Sequence, residues 1–198
     1  MLRVGLSTFA LVLISGFAEA GALYDAAKMG DLGSVEHLIS TGENVDALGP
    51  NKETPLTAAT LSDDVKIAEI LIDRGANVMA RNTGGFTALH AAAYAGSAKV
   101  AALLLANGAG LEDVRNVSGA TPLIVAAEEN NLEVARLLIA RGANISILDR
   151  DGFSALTGAW SKNRIEMVRL LKQNGAVCQP SEVLGTEEYY RKCVEYGK

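Results

Sequence analysis

The sequence predicts an all-α solenoid of about five helix-turn-helix repeats, finished by a C-terminal capping helix. Three observations predict it. Glycines at 42, 75, 108, 142 and 175 step by 33 or 34 positions, a period that marks a stacked array. Four of them follow an opening hydroxyl residue by 21 positions: Thr54 to Gly75, Thr87 to Gly108, Thr121 to Gly142 and Ser154 to Gly175. Between opener and closer, apolar residues recur at fixed offsets: Ile67, Ile70 and Leu71; Val100, Leu103 and Leu104; Val134, Leu137 and Leu138; Met167, Leu170 and Leu171. Those offsets place three apolar side chains on one face of each second helix, so each buries a stripe.

The openers Thr54-Pro55-Leu56, Thr87-Ala88-Leu89-His90 and Thr121-Pro122-Leu123, with closers such as Gly75-Ala76-Asn77 and Gly142-Ala143-Asn144, resemble the ankyrin repeat. The resemblance covers residues 21–178 and places repeats at about 21–49, 50–82, 83–115, 116–149 and 150–178. It implies inter-repeat segments that project as β-hairpin fingers. It also implies a concave groove, between finger tips and first-helix ends, where partner proteins sit.

Residues 1–20 open with a lone cation at Arg3, run apolar from Val4 to Phe17 and end in Ala18-Glu19-Ala20. That is the pattern of a secretory signal peptide cleaved after Ala20. A retained membrane anchor is the competing reading, but the apolar run is shorter than the ~20 residues a spanning helix needs. No membrane contact is expected after cleavage, and the location expected is secreted or periplasmic. Loss of Arg3 and Glu19 together leaves the formal charge at −5. No Lys/Arg block stands out, so nucleic acid is set aside as a partner.

The first repeat has a worn opening, with Gly21 where a hydroxyl stands elsewhere. Its second helix puts Ser34, His37 and Leu38 at the stripe positions, and polar residues there suit the outermost unit of an array. In the later repeats the first helices are alanine-rich (Ala58-Ala59, Ala91 to Ala93, Ala126-Ala127), which lets neighbours approach closely. The opening threonines can cap those helices, and Pro55 and Pro122 fall in the first turn, where a missing N–H costs nothing. The closing glycines can supply the left-handed residue that stops each second helix. The finger before Thr121 carries one extra residue and is expected to be distorted.

His90 stands at the histidine position of the repeat signature, where the resemblance implies a hydrogen bond within the repeat. The chain has 2 histidines and 2 cysteines, none at ligand spacing, so no metal site and no cofactor is expected. Asp63-Asp64 at a helical turn and Glu128-Glu129 at a helix end read as solvated groups. Gly84-Gly85 sits at a repeat turn, not in a phosphate loop. No catalytic residue is expected, and the chain reads as a non-enzyme.

Residues 179–198 leave the repeat pattern and form the predicted C-terminal cap. Glu187 and Glu188 ahead of Arg191 and Lys192 match the polarity of a short helix over about 186–195. Tyr189, Tyr190, Val194 and Tyr196 are placed to lie over the last repeat. Cys178 and Cys193 flank this element, and in an exported protein such a pair reads most simply as a disulfide. It would close a loop of 15 residues, worth about 3 kcal/mol in the chain-entropy account. Two unpaired thiols are the alternative.

Phase mapping onto the concave groove gives the candidate partner-binding residues: Arg81, Phe86, Tyr94, Glu128, Glu129, Phe153, Trp160 and Lys162. Aromatics are scarce, so Phe86, Tyr94 and Phe153 on one surface stand out, because aromatic anchors carry most interface energy. Hairpin packing is the structural alternative for the two phenylalanines, and filling beneath the cap is that for Trp160. The function expected is non-catalytic protein binding by a monomer. A secreted effector or inhibitor acting on a host or competitor protein, and a carrier for a small apolar ligand, are the alternatives.

Overall fold

The computed structural model describes residues 21–180 and 186–196; the predicted signal segment at 1–20 lies outside the described residues, as does the side chain of Tyr189. Helices come in consecutive pairs: α1 (Ala22–Met29) with α2 (Leu32–Ser40), α3 (Pro55–Leu61) with α4 (Val65–Asp73), and α5 (Ala88–Ala95) with α6 (Ala98–Ala106). The series continues with α7 (Pro122–Glu129) and α8 (Leu132–Ala140), then α9 (Ala155–Ser161) and α10 (Ile165–Gln173); α11 (Glu187–Glu195) is the last described helix. First helices stack on first helices, α1 on α3 and so on to α9, and second helices form a looser layer behind them. The alanines explain the difference: Ala58, Ala59, Ala92, Ala93, Ala126 and Ala127 are buried between neighbouring first helices that small side chains allow to approach.

Two of the three stripe positions are fully buried in each of α4, α6, α8 and α10, while the middle one is half-buried at Ile70, Leu103 and Leu137 and buried at Leu170. Ile67, Leu71, Val100, Leu104, Val134, Leu138, Met167 and Leu171 have no exposed surface, whereas α2 buries Val35 alone. The openers cap: Thr54, Thr121 and Ser154 each accept from the backbone N–H three residues on, at 3.2–3.3 Å. The closing glycines are left-handed, with φ of 86° at Gly75 and 92° at Gly175.

A second left-handed position recurs at the turn inside each pair: Gly30, Asp63, Gly96, Asn130 and Asn163, all at positive φ. Asx side chains tolerate that conformation better than other L-residues. The Asp63-Asp64 pair is thereby resolved: Asp63 makes the turn, and Asp64 caps α4 by accepting from the Ile67 N–H at 2.9 Å. The next position along ties units together. Ser97 Oγ donates to Thr60 O at 2.8 Å, Asn131 Nδ2 to Ala93 O at 2.8 Å, and Arg164 Nε to Glu128 O at 3.3 Å. Each bond ends on a carbonyl in the last turn of the preceding unit's first helix, and those of Ala93 and Glu128 have no backbone partner there.

Among the described residues the fingers contain no strand; one isolated antiparallel bridge joins Leu148 and Ser154. They are closed turns, with Gly49 N–H donating to Glu53 O at 2.8 Å and Asn82 N–H to Phe86 O at 3.0 Å. Tips bond in series: Thr83 N–H to Asn51 O, Val117 N–H to Gly84 O, Arg150 N–H to Ser118 O. The Gln179 side chain ends the series, donating to Gly152 O at 2.7 Å and accepting from the Ser154 N–H at 3.0 Å. The tail thus supplies one side chain where another finger would otherwise sit.

The Sγ atoms of Cys178 and Cys193 lie 2.09 Å apart, disulfide distance, with Cα atoms at 6.1 Å. Lys172 Nζ donates to Cys193 O at 2.6 Å, and Tyr196 meets Trp160 edge-on at 5.4 Å.

Candidate partner-binding groove

The finger before α5 turns on Asn82, whose Oδ1 accepts from the Gly84 and Phe86 N–H groups, both at 3.0 Å. The same turn has Gly85 at φ 79°, where a Cβ would meet Arg115 O at 2.5 Å. This fixes the direction in which Phe86 leaves the finger. Its ring meets His90 edge-on, centroids 5.5 Å apart, and so lies along the start of α5. One turn beyond His90, Tyr94 stands 61 % exposed, and Leu61 at the end of α3 is 40 % exposed beside it. These side chains enclose a groove of about 370 Å³, lined chiefly by Glu53, Leu61, Asn82, Phe86, Tyr94 and Val125.

Glu53 carries the charge of this groove. Its Oε2 accepts from the Tyr24 hydroxyl at 2.8 Å, and burial together with that carboxylate pushes the tyrosine pKa up to about 12. Lys28 lies over the Tyr24 ring, 5.9 Å from its centroid.

His90 forms the floor. Its Nδ1 accepts from the Thr87 N–H at 3.2 Å and the Thr87 hydroxyl at 2.9 Å. An N–H can only donate, so the ring proton belongs on Nε2, which faces Asp113 O at 3.0 Å and Ala120 O at 3.1 Å. Burial holds its pKa below the ordinary histidine value, so the ring is neutral near pH 7. The bonds reach the following finger, the one with the extra residue. That finger folds inward around Asp113, which is buried and bound by Arg81 and Arg115; the Arg81 hydrogen bonds, with help from Arg115, hold its carboxyl well below the ordinary carboxylate range.

The predicted site residues therefore separate. Phe86 and Tyr94 share the groove. Glu128, Glu129 and Lys162 form a neighbouring cluster, Lys162 Nζ lying 3.2 Å from Glu128 and 3.6 Å from Glu129. Phe153 is 37 % exposed on its own finger and does not line the groove. Arg81 is turned into the molecule, donating to Asp113 and, at 2.9 Å, to Gly85 O. Trp160 is buried beneath Tyr196. Glu53, Leu61, Asn82 and Val125 line the groove without being among those eight residues: Glu53 and Leu61 share the phase of Phe86 and Tyr94, whereas Asn82 acts by shaping a turn, which phase mapping of side chains does not register.

Among the described residues, no group of three His, Cys, Asp or Glu side chains could hold a metal ion, and no helix is long and apolar enough to cross a membrane. Residues 23–115 and 110–181 match a family model described as ankyrin repeats (3 copies). No curated protein matches the chain.

Proposed function

The chain belongs to the ankyrin repeat family, and from that premise we propose that it is a non-catalytic module that binds a partner protein through the groove at Phe86 and Tyr94. One observation carries the reading. Two large apolar side chains, Leu61 and Tyr94, stand exposed at the same position near the ends of successive first helices, and Phe86 lines the same groove from the finger side. Aromatic anchors in a partly enclosed site are what protein interfaces use. Glu128, Glu129, Lys162 and Phe153 extend the contact surface toward the C-terminal end, while Arg81 and Trp160 serve it by fixing its shape. The array is read as five repeats over 21–178, acting as a monomer.

The working compartment is an exported one, secreted or periplasmic. The segment at 1–20 has the pattern of a cleaved leader, and a cysteine pair at bonding distance suits an oxidising environment. The test is affinity capture from the native exported fraction, with the wild-type protein beside a Phe86→Ala/Tyr94→Ala variant. Recovery of one partner by the wild type and its loss by the variant is the expected result. Equal recovery by both moves the interface off this groove.

A further inference from the structure

The concave carboxylates are not equivalent. Glu128 and Glu129 share Lys162, and Asp113 holds two arginines. Glu53 is half-buried and lines the groove, and among the described residues it forms no ion pair. Its carboxylate accepts from the Tyr24 hydroxyl at 2.8 Å. A carboxylate has about four acceptor positions, so most of this one is open to a donor entering the groove. The remaining lining offers no competing charge, since His90 is buried and neutral. Phe86, at the equivalent position of the next finger, and Tyr94 line the same groove, and an aromatic ring is a surface on which a guanidinium can stack. A formal charge of −5 on the whole chain favours approach of a cation as well.

Resting on the binding role proposed above, we infer that the occupant is a partner-protein segment bearing a bulky apolar side chain beside an arginine or lysine. The apolar group fills the space among Leu61, Phe86, Tyr94 and Val125. The cation lies on the aromatic faces with its N–H groups on Glu53. An acidic segment is excluded by the same carboxylate. So is a purely apolar one, because it would leave Glu53 facing a dry surface with one of its bonds made.

Random heptapeptides displayed on phage and selected on the purified protein test this directly, with the winning peptide titrated against Glu53→Gln and Tyr94→Ala. The amide oxygen that Glu53→Gln introduces still accepts from the Tyr24 hydroxyl, so that variant keeps the fold and loses the charge alone. Tyr94 is mostly exposed, and an unchanged circular dichroism spectrum confirms that its variant is folded. The expected result is enrichment of Arg or Lys next to a large apolar residue. Binding should weaken about 3- to 10-fold in Glu53→Gln, as loss of a partly shielded ion pair requires, and all but vanish in Tyr94→Ala. Added salt should weaken the wild type more than it weakens Glu53→Gln. Selection of apolar or acidic peptides that need Tyr94 but ignore Glu53 overturns the cationic assignment and leaves the groove standing. Selected peptides indifferent to Tyr94, or no enrichment at all, overturn the groove reading itself.

Discussion

His90 shows how much one residue does in this molecule. It links the start of its own helix to the next finger through Nδ1 on Thr87 and Nε2 on the carbonyls of Asp113 and Ala120. A second proton would have to sit on Nδ1, facing the Thr87 N–H, so the folded state resists it. The folded pKa is depressed by burial below the ordinary 6.5. In the window below 6.5 the unfolded chain takes up a proton that the folded chain refuses. The contribution of this site is therefore complete above about pH 6.5 and declines as pH falls beneath it, by at most about 1.4 kcal/mol per pH unit for one proton. Asp113 adds a later loss: its folded pKa lies far below the usual 3.8, so its contribution is present above that value and fails below it. Urea midpoints measured from pH 8 to 3 should be level, then fall in two stages. His90→Gln should cost about 1–3 kcal/mol at pH 7.5 and remove the first stage. A first stage that persists in the variant would assign it to another group.

At the scale of elements, the helices were legible because their cause is local. Stripe spacing, opener and closing glycine fix each pair, and the tail helix expected over 186–195 runs over Glu187–Glu195. The groove was half legible. Phase placed Phe86 and Tyr94 on one face, but nothing in the spacing shows that Arg81 turns inward. That outcome depends on Asp113, 32 positions away in a finger whose extra residue breaks the phase. Fingers are governed by such cross-unit bonds, and a periodic reading averages them out. The cap depends on a contact of another kind. Among the described side chains of α11, Cys193 is the buried one and most others are exposed, while an isolated nine-residue helix is far too short to persist in water. Cys193→Ser should release α11 and uncover Trp160, the chain's one tryptophan. Its emission should shift to the red, helical signal should fall by about one short helix, and stability should drop by about 3 kcal/mol. Unchanged emission in the variant would show that the Trp160–Tyr196 contact holds the cap without the cysteines.

Across the whole molecule, stability should be graded along the stack. A solenoid has no central core, so each unit is held by its own packing and by its neighbours, and an end unit has one neighbour. The two ends are finished differently. At the C-terminal end, Gln179 completes the finger bonds and the cysteine pair fastens α11. At the N-terminal end, Gly21 offers α1 no side-chain cap, and α2 buries one residue where α4, α6 and α8 each bury three. What holds the first unit is α1: Leu23, Tyr24, Ala26 and Ala27 are buried, and Tyr24 reaches Glu53 in the following unit. Tyr24 also packs so tightly on Gly49 that a Cβ there would lie 2.3 Å from its ring. Native-state hydrogen exchange should resolve this as a gradient. Amides of α2 should exchange through openings well below the global free energy, α1 should resist more, and α5 to α8 should exchange only by global unfolding. Tyr24→Phe, which removes the bond to Glu53 and keeps the ring, should speed exchange in α1 and α2 and keep the order of protection along the stack unchanged. Equal protection from α2 to α8 would mean that the array opens as one cooperative block, and that the weakly buried second helix at its N-terminal end is held by contacts other than its own stripe.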